Sequence, residues 1–161
     1  MQKKEYAFLF EEYDSANELN GVDGVLLGLA RQATEKAYAP YSQFRVGAAA
    51  RLSNGEVLSG ANQENAAFPA GLCAEGVLLA TASSLYPGVA IDTLAVSYRN
   101  ERGSSDRPIS PCGICRQSLQ EFEQRTGRPV RLIMGGMEGK VYIVPQASLL
   151  LPLAFGPDEL G

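Results

Sequence analysis

The chain has three cysteines and no histidine, and that scarcity constrains it more than any other feature. The cysteines fall in two short stretches, Cys73-Ala74-Glu75 and Pro111-Cys112-Gly113-Ile114-Cys115. Without imidazole, these thiols are the whole supply of soft metal ligands. Three thiolates plus one open position is the plan of a catalytic zinc; a closed structural site would lack its fourth ligand. Cys112 and Cys115 stand three apart at the start of a predicted helix, where such residues share a face with Cβ atoms about 5 to 6 Å apart. Two sulfurs on one tetrahedral zinc, each at ~2.3 Å, lie roughly 3.8 Å from each other. The spacing fits one ion, so the fold has to carry position 73 to positions 112 and 115.

At 161 residues the chain is long enough for one domain with a real core and no disulfide staples. An odd number of cysteines is a poor disulfide framework and agrees with a reducing cytoplasm. The net charge of -4 argues against a surface that tracks nucleic-acid phosphates, because such surfaces are basic. A small or neutral substrate fits better. The apolar run Tyr6 to Phe10 is short and is interrupted by Glu11-Glu12, unlike a secretory signal. Nothing approaches membrane-spanning length, so neither a membrane nor a nucleic acid is an expected partner.

Residues 1–20 read as an N-terminal extension in which the apolar run around residues 4–13 could form a strand. A single domain is expected over residues 21–161. Val22, Val25, Leu26, Leu29, Ala30, Ala33 and Ala37 keep the spacing of a helix face, with Pro40 stopping the helix shortly after Tyr38. Phe44 to Leu52 reads as a strand, Asn54-Gly55 as a tight hairpin turn, and Val57 to Asn62 as the returning strand. A helix from about Cys73 to Ser83, a strand from Thr93 to Tyr98 and an exposed loop from Arg99 to Pro108 follow. A second helix over Cys112 to Gln124 is stopped at Gly127. Val130 to Met134 and Lys140 to Val144 are two further strands, and Gln146 to Phe155 reads as a short helix ending at Pro152. Gly135-Gly136-Met137-Glu138-Gly139 lacks the spacing and the following residues of a phosphate-binding loop, so a hairpin turn explains it. Strands alternating with helices predict an α/β layered domain with a mixed sheet of about five strands.

Two polar positions stand out beside the thiols. In an extended segment Asn62 and Glu64 point the same way, because side chains alternate with period two. An amide and a carboxylate aimed at one spot suit paired hydroxyls, although a solvated polar turn has the same composition. Glu75, two residues beyond Cys73, falls in the first turn of its helix, where it sits beside a metal-bound water rather than on the metal.

These pieces, together with Ala37-Tyr38-Ala39-Pro40-Tyr41-Ser42-Gln43-Phe44-Arg45-Val46-Gly47-Ala48, Gly71-Leu72-Cys73-Ala74-Glu75, Ser110-Pro111-Cys112-Gly113-Ile114-Cys115-Arg116-Gln117 and the closing Leu150-Leu151-Pro152-Leu153-Ala154-Phe155, resemble the cytidine deaminase family in its small, three-cysteine branch. The likeness runs over about residues 22 to 160, and five motifs in order are specific where any one alone would be weak. It implies a three-layer α/β/α fold and one Zn²⁺ per chain, held by Cys73, Cys112 and Cys115, with Glu75 as general acid and base. It also implies that Phe44 packs on the pyrimidine, that Asn62 and Glu64 hold the ribose 3′-hydroxyl, and that the Ala74 N–H meets the base carbonyl. The implied reaction is hydrolysis of cytidine or deoxycytidine to the uridine nucleoside and ammonia by a zinc-bound hydroxide, in pyrimidine salvage. Members are mostly homotetramers, so Phe155 and Phe68 would reach a neighbouring subunit's pocket.

One residue departs from that pattern. Many members carry an Arg after the catalytic Glu, and here the residue is Gly76. Zinc with three thiolates bears a charge of -1, and -2 once its water ionises, and two helix N-termini return only about +0.5 each. A further guanidinium, from Arg116, Arg99, Arg102 or Arg107, is therefore expected near the sulfurs. Three other readings remain. Cys112 and Cys115 could be a redox pair, the chain could be a zinc-retaining relative without turnover, or it could be a blasticidin S-type aminonucleoside deaminase, a group that also has Cys-Ala-Glu.

Overall fold

The computed structural model describes residues 1–160; Gly161, the last residue of the expected domain, lies outside them. Strands β1 (Glu11–Tyr13), β2 (Phe44–Leu52), β3 (Val57–Ala61), β4 (Ile91–Asn100), β5 (Arg131–Gly135) and β6 (Val141–Val144) form one sheet in the order β1-β6-β5-β4-β2-β3. Helices α1 (Gly21–Ala33), α2 (Ala74–Leu85) and α3 (Gly113–Thr126) cover it. Only β4 and β5 run parallel, joined through α3; the other neighbours are antiparallel.

The period of two along each strand creates the layers. Ala48, Ala50 and Leu52 of β2, with Leu94, Val96, Leu132 and Met134, face Leu78, Leu119 and Phe122 of α2 and α3. The intervening residues Ala49, Ala95, Ile133, Val141 and Ile143 turn to the other side, against Leu26, Leu27 and Ala30 of α1. This is the expected three-layer α/β/α arrangement, with six strands where about five were expected. The extra strand is β1, whose Glu11, Glu12 and Tyr13 pair with Ile143, Tyr142 and Val141. Pairing falls on the polar residues after the apolar run, because the aromatic side chains of that run lie across the sheet edge instead.

Helix α1 ends in a 3-10 turn over Thr34–Lys36, before the stop expected from Pro40. Its buried face is Leu26, Leu27, Ala30 and Ala33, while Val22 and Val25 are exposed. At the hairpin between β2 and β3, Gly55 takes a φ of 90°, which only glycine adopts freely. Gly127 closes α3 in the left-handed conformation, with φ 66°, as anticipated. The tail forms a 3-10 turn over Ala147–Leu150 rather than a helix reaching Pro152. No helix among the described residues is long and apolar enough to cross a membrane.

A partly buried ion pair fixes α1 to the sheet. Asn20 caps the helix, its side chain accepting the Asp23 N–H at 2.9 Å and donating to Asp23 Oδ2 at 2.7 Å. Asp23 is 4% exposed and meets Arg131 of β5 through two parallel bonds of 2.8 Å. Burial by itself would raise the Asp23 pKa; the paired guanidinium and the Asn20 amide outweigh it and hold the carboxyl below its usual range. A carboxyl lowered by folding stabilises fully above its unfolded value of about 3.9 and loses that contribution as the pH falls through the lower folded value. Asp23→Asn should therefore flatten the acid limb of stability against pH and cost on the order of 2 kcal/mol at neutral pH. Urea unfolding at a series of acidic pH values measures both, and an unaltered acid limb would show that the pair contributes nothing.

Candidate metal centre

Helices α2 and α3 start side by side at one end of the sheet, and each begins on a cysteine. Cys73 is the N-cap of α2 and Cys112 the N-cap of α3, both with extended backbone. Cys115 follows one turn into α3 and is 1% exposed. The Sγ atoms of Cys73 and Cys112 lie 3.6 Å apart, as do those of Cys112 and Cys115. All three sulfurs fall within 4.8 Å of one another, near the roughly 3.8 Å of a tetrahedral zinc edge.

That proximity depends on a glycine. A Cβ built on Gly60 of β3 would come within 2.6 Å of Ala74 O and 2.9 Å of Leu78 N. Only a residue without a side chain lets the first turn of α2, which carries Cys73 and Glu75, lie this close to the sheet.

The thiols perturb one another strongly. Contact with Cys115 draws the Cys73 thiol down to about 6, with Cys112 adding to the effect and partial burial opposing it. The Cys115 thiol is pushed up, first by Cys73 and then by its own burial and by Glu75. A negative charge on one sulfur thus makes the second costly, the conflict that a central cation removes. The donor set and its spacing fit a soft dication with one position left open.

Glu75 sits in the first turn of α2, 4% exposed. Burial raises its pKa, against smaller opposing contributions from its own backbone amide and from Cys115. The carboxyl lines a cleft of about 350 Å³ together with Phe44, Asn62, Glu64, Ala74, Cys73 and Cys112. Phe44 stacks on Tyr98 with centroids 4.9 Å apart and planes 18° apart, so Tyr98 supports the ring on one side. The Asn62 amide bridges β2: its Oδ1 accepts the Val46 N–H at 2.8 Å and its Nδ2 donates to Phe44 O at 3.0 Å. Glu64 Oε2 accepts the Tyr41 and Ser42 backbone N–H groups at 2.8 and 3.3 Å. The Ser42 side chain and these two amides hold the Glu64 carboxyl below its ordinary range, against the rise that burial causes. The first amides of α2, that of Ala74 among them, have no partner within the helix, and Ala74 lines the same cleft.

Phe155 stands apart. It is 58% exposed and does not line the cleft of its own chain; its carbonyl accepts from Gln117 Nε2 at 2.9 Å. Phe68 does line the cleft and meets Tyr41 edge-on at 6.0 Å. The anticipated guanidinium does not reach the sulfurs. Arg116 donates to Pro111 O, Leu150 O and Ser110 Oγ, and Arg102 to Gln43 and Tyr41 O. Arg99 and Arg107 are exposed. Among the described residues no arginine hydrogen-bonds to a sulfur; Arg116 instead bonds the Ser110-Pro111 segment directly before Cys112. At Gly76 an added Cβ would meet nothing within 4 Å.

Ile109, Ser110, Leu72 and Val46 also line the cleft; the last three lie in the sequence motifs without having been assigned a role there, and Ile109 lies in none. Val46 could have been found from the strand alternation that selects Phe44. Ile109 and Ser110 come from a loop whose path only the packed structure defines.

The profile of the cytidine and deoxycytidylate deaminase zinc-binding region matches residues 22–128. The chain is 35% identical over 137 residues to a cytidine deaminase of Halalkalibacterium halodurans, covering 85% of this chain and 96% of that protein. It is 38% identical over 139 residues to one of Mycobacterium tuberculosis, covering 84% and 91%. Among solved structures it resembles the cytidine deaminase of Burkholderia pseudomallei, with a TM-score of 0.70, 38% identity and coverage of 81% of this chain and 97% of that one. The cytidine deaminase of M. tuberculosis gives a TM-score of 0.64 at 31% identity, covering 85% and 99%. With its three sulfurs spaced for one Zn²⁺ per chain, this protein belongs to the zinc-binding cytidine and deoxycytidylate deaminase family.

Proposed function

We propose that this chain hydrolyses cytidine, deoxycytidine or both to the corresponding uridine nucleoside and ammonia. The observation that carries this reading is the meeting of three sulfurs and the buried Glu75 carboxyl on one wall of a nucleoside-sized cleft. Cys73, Cys112 and Cys115 are the zinc ligands. Bound there, zinc supplies Lewis acidity at its open position and makes a water nucleophilic near neutral pH.

The other groups bind, orient and move protons. Glu75 takes a proton from the attacking water and delivers it to N3 of the ring as the C4–O bond forms; it then takes the remaining proton of the new C4 hydroxyl and passes it to the amine, which leaves as ammonia when the C4–N bond breaks. Its raised pKa suits a group that must hold a proton between those steps. Phe44, backed by Tyr98, packs on the pyrimidine. The Ala74 N–H, at a helix N-terminus, donates to the base carbonyl. Asn62 and the ionised Glu64 take the ribose 3′-hydroxyl. The lining residues include Glu64 and Glu75 but no lysine or arginine, which favours a nucleoside over a 5′-phosphorylated nucleotide.

The chain is further read as one domain over residues 21–161 with an N-terminal extension over residues 1–20. It acts in the cytoplasm, in pyrimidine salvage, as a homotetramer. The exposed Phe155 then completes a neighbour's cleft.

Ammonia release from cytidine, deoxycytidine, CMP and blasticidin S, with zinc content measured in parallel, tests the reading. Cytidine or deoxycytidine should be turned over and CMP should not; turnover of blasticidin S alone would replace the nucleoside assignment. Glu75→Gln should lower kcat by at least about 100-fold with one zinc per chain retained. Cys112→Ala should lose metal and activity together. Gly76→Arg places a positive charge beside the thiolates, so the acidic limb of kcat/KM should move to lower pH. An unmoved limb would mean that the charge missing at position 76 is immaterial.

A further inference from the structure

The segment before β1 has no regular secondary structure, yet it is fastened at several points. The Tyr6 hydroxyl donates to Leu149 O at 3.0 Å. The rings of Tyr6, Phe8 and Phe10 follow one another at 6.5 and 6.4 Å, and Phe10 lies 5.1 Å from Tyr142 of β6. Phe8 packs against the core beneath α2 and α3. Just beyond, Glu12 forms an ion pair with Lys140. The strap closes the part of the sheet face, above β5 and β6, that α2 and α3 leave open.

What lies under it connects to the metal centre. Phe8 and Phe10 line a cavity of about 230 Å³ with Ile109, Ser110 and Leu150. Ile109 and Ser110 are also walls of the catalytic cleft beside Cys112. Arg116 ties these parts together, donating through Nη1 to Leu150 O at 3.0 Å, through Nη2 to Ser110 Oγ at 2.9 Å and through Nε to Pro111 O at 2.8 Å. Tyr6 and Arg116 therefore hold the adjacent carbonyls of Leu149 and Leu150, and Arg116 holds the two residues that precede Cys112.

We propose that the N-terminal strap positions the metal-binding loop, with Tyr6 and Phe8 as positioning residues that act on Cys112 through the Ala147–Leu150 turn, Arg116 and the Ile109–Pro111 segment. The inference rests on the reading of the three cysteines as zinc ligands. Groups that orient a ligand from behind set how firmly the metal is kept. The strap does so from outside the matched residues 22–128, a structural role for a segment whose sequence gave no function.

The test uses the full-length, zinc-loaded chain and the rate of zinc transfer to an excess of a chromophoric chelator. Tyr6→Phe removes one hydroxyl and Phe8→Ala removes one ring; each should speed zinc release, by about tenfold for the stronger of the two. Phe8→Leu should restore most of the wild-type rate. Asp23→Asn, which loosens the opposite face of the sheet, should lower the urea midpoint and leave zinc release unchanged. Release at the wild-type rate from both Tyr6→Phe and Phe8→Ala overturns the proposal, and so does equal acceleration by Asp23→Asn, since the effect would then be general destabilisation. A wild-type chain that retains no zinc overturns the metal centre and the strap together.

Discussion

Three sulfurs held within 4.8 Å of one another are an electrostatic problem before they are a site. Thiolates at such distances repel; Cys73, taking a hydrogen bond from Cys115, is drawn down while Cys115 is pushed up. The fold answers this by placing the sulfurs of Cys73 and Cys112 at two helix starts, where unpaired amides and the helix dipole favour negative charge. A dication completes the balance. The rest of the architecture serves the convergence of α2 and α3: the sheet gives them a common floor, and Gly60 allows the first turn of α2 to approach it.

The cleft is built from the strand and loop ends surrounding those two helix starts. Asn62 acts as a piece of backbone, its side chain satisfying Phe44 O and the Val46 N–H just past the end of β3 while its own N–H donates to Val46 O. Glu64 is held the same way from the Tyr41-Ser42 turn. Both polar side chains are thereby fixed before any substrate arrives, which is how a site avoids ordering its own groups on binding. Phe44 is fixed by its stack on Tyr98, a residue that belongs to none of the sequence motifs.

Much of this was legible residue by residue. The cysteine spacing, the Glu two residues after the first of them and the strand over Phe44 to Leu52 follow from local chemistry, and the observed elements coincide with them. The strand expected within residues 4–13 is confined to its last three residues, Glu11–Tyr13, because hydrophobicity marked Tyr6 to Phe10, whereas pairing depends on which backbone lies beside β6. The arginines leave the sulfurs without a direct hydrogen bond for a related reason. Charge balance says that a cation is wanted, but the free loop carbonyls beside Arg116 and Arg102 claimed those guanidinium groups first.

The sequence by itself determined the ligand types, the layered α/β class and the helices on which the ligands ride, because these depend on side-chain chemistry and on periods of a few residues. Only the tertiary structure decided that the sulfur of position 73 comes to 3.6 Å from that of position 112 and within 4.8 Å of that of position 115, that Asn62 is held by β2, and that an aromatic strap lies behind the metal loop. Those are distances between segments tens of residues apart, set by packing across the sheet, and no local pattern in the chain encodes them.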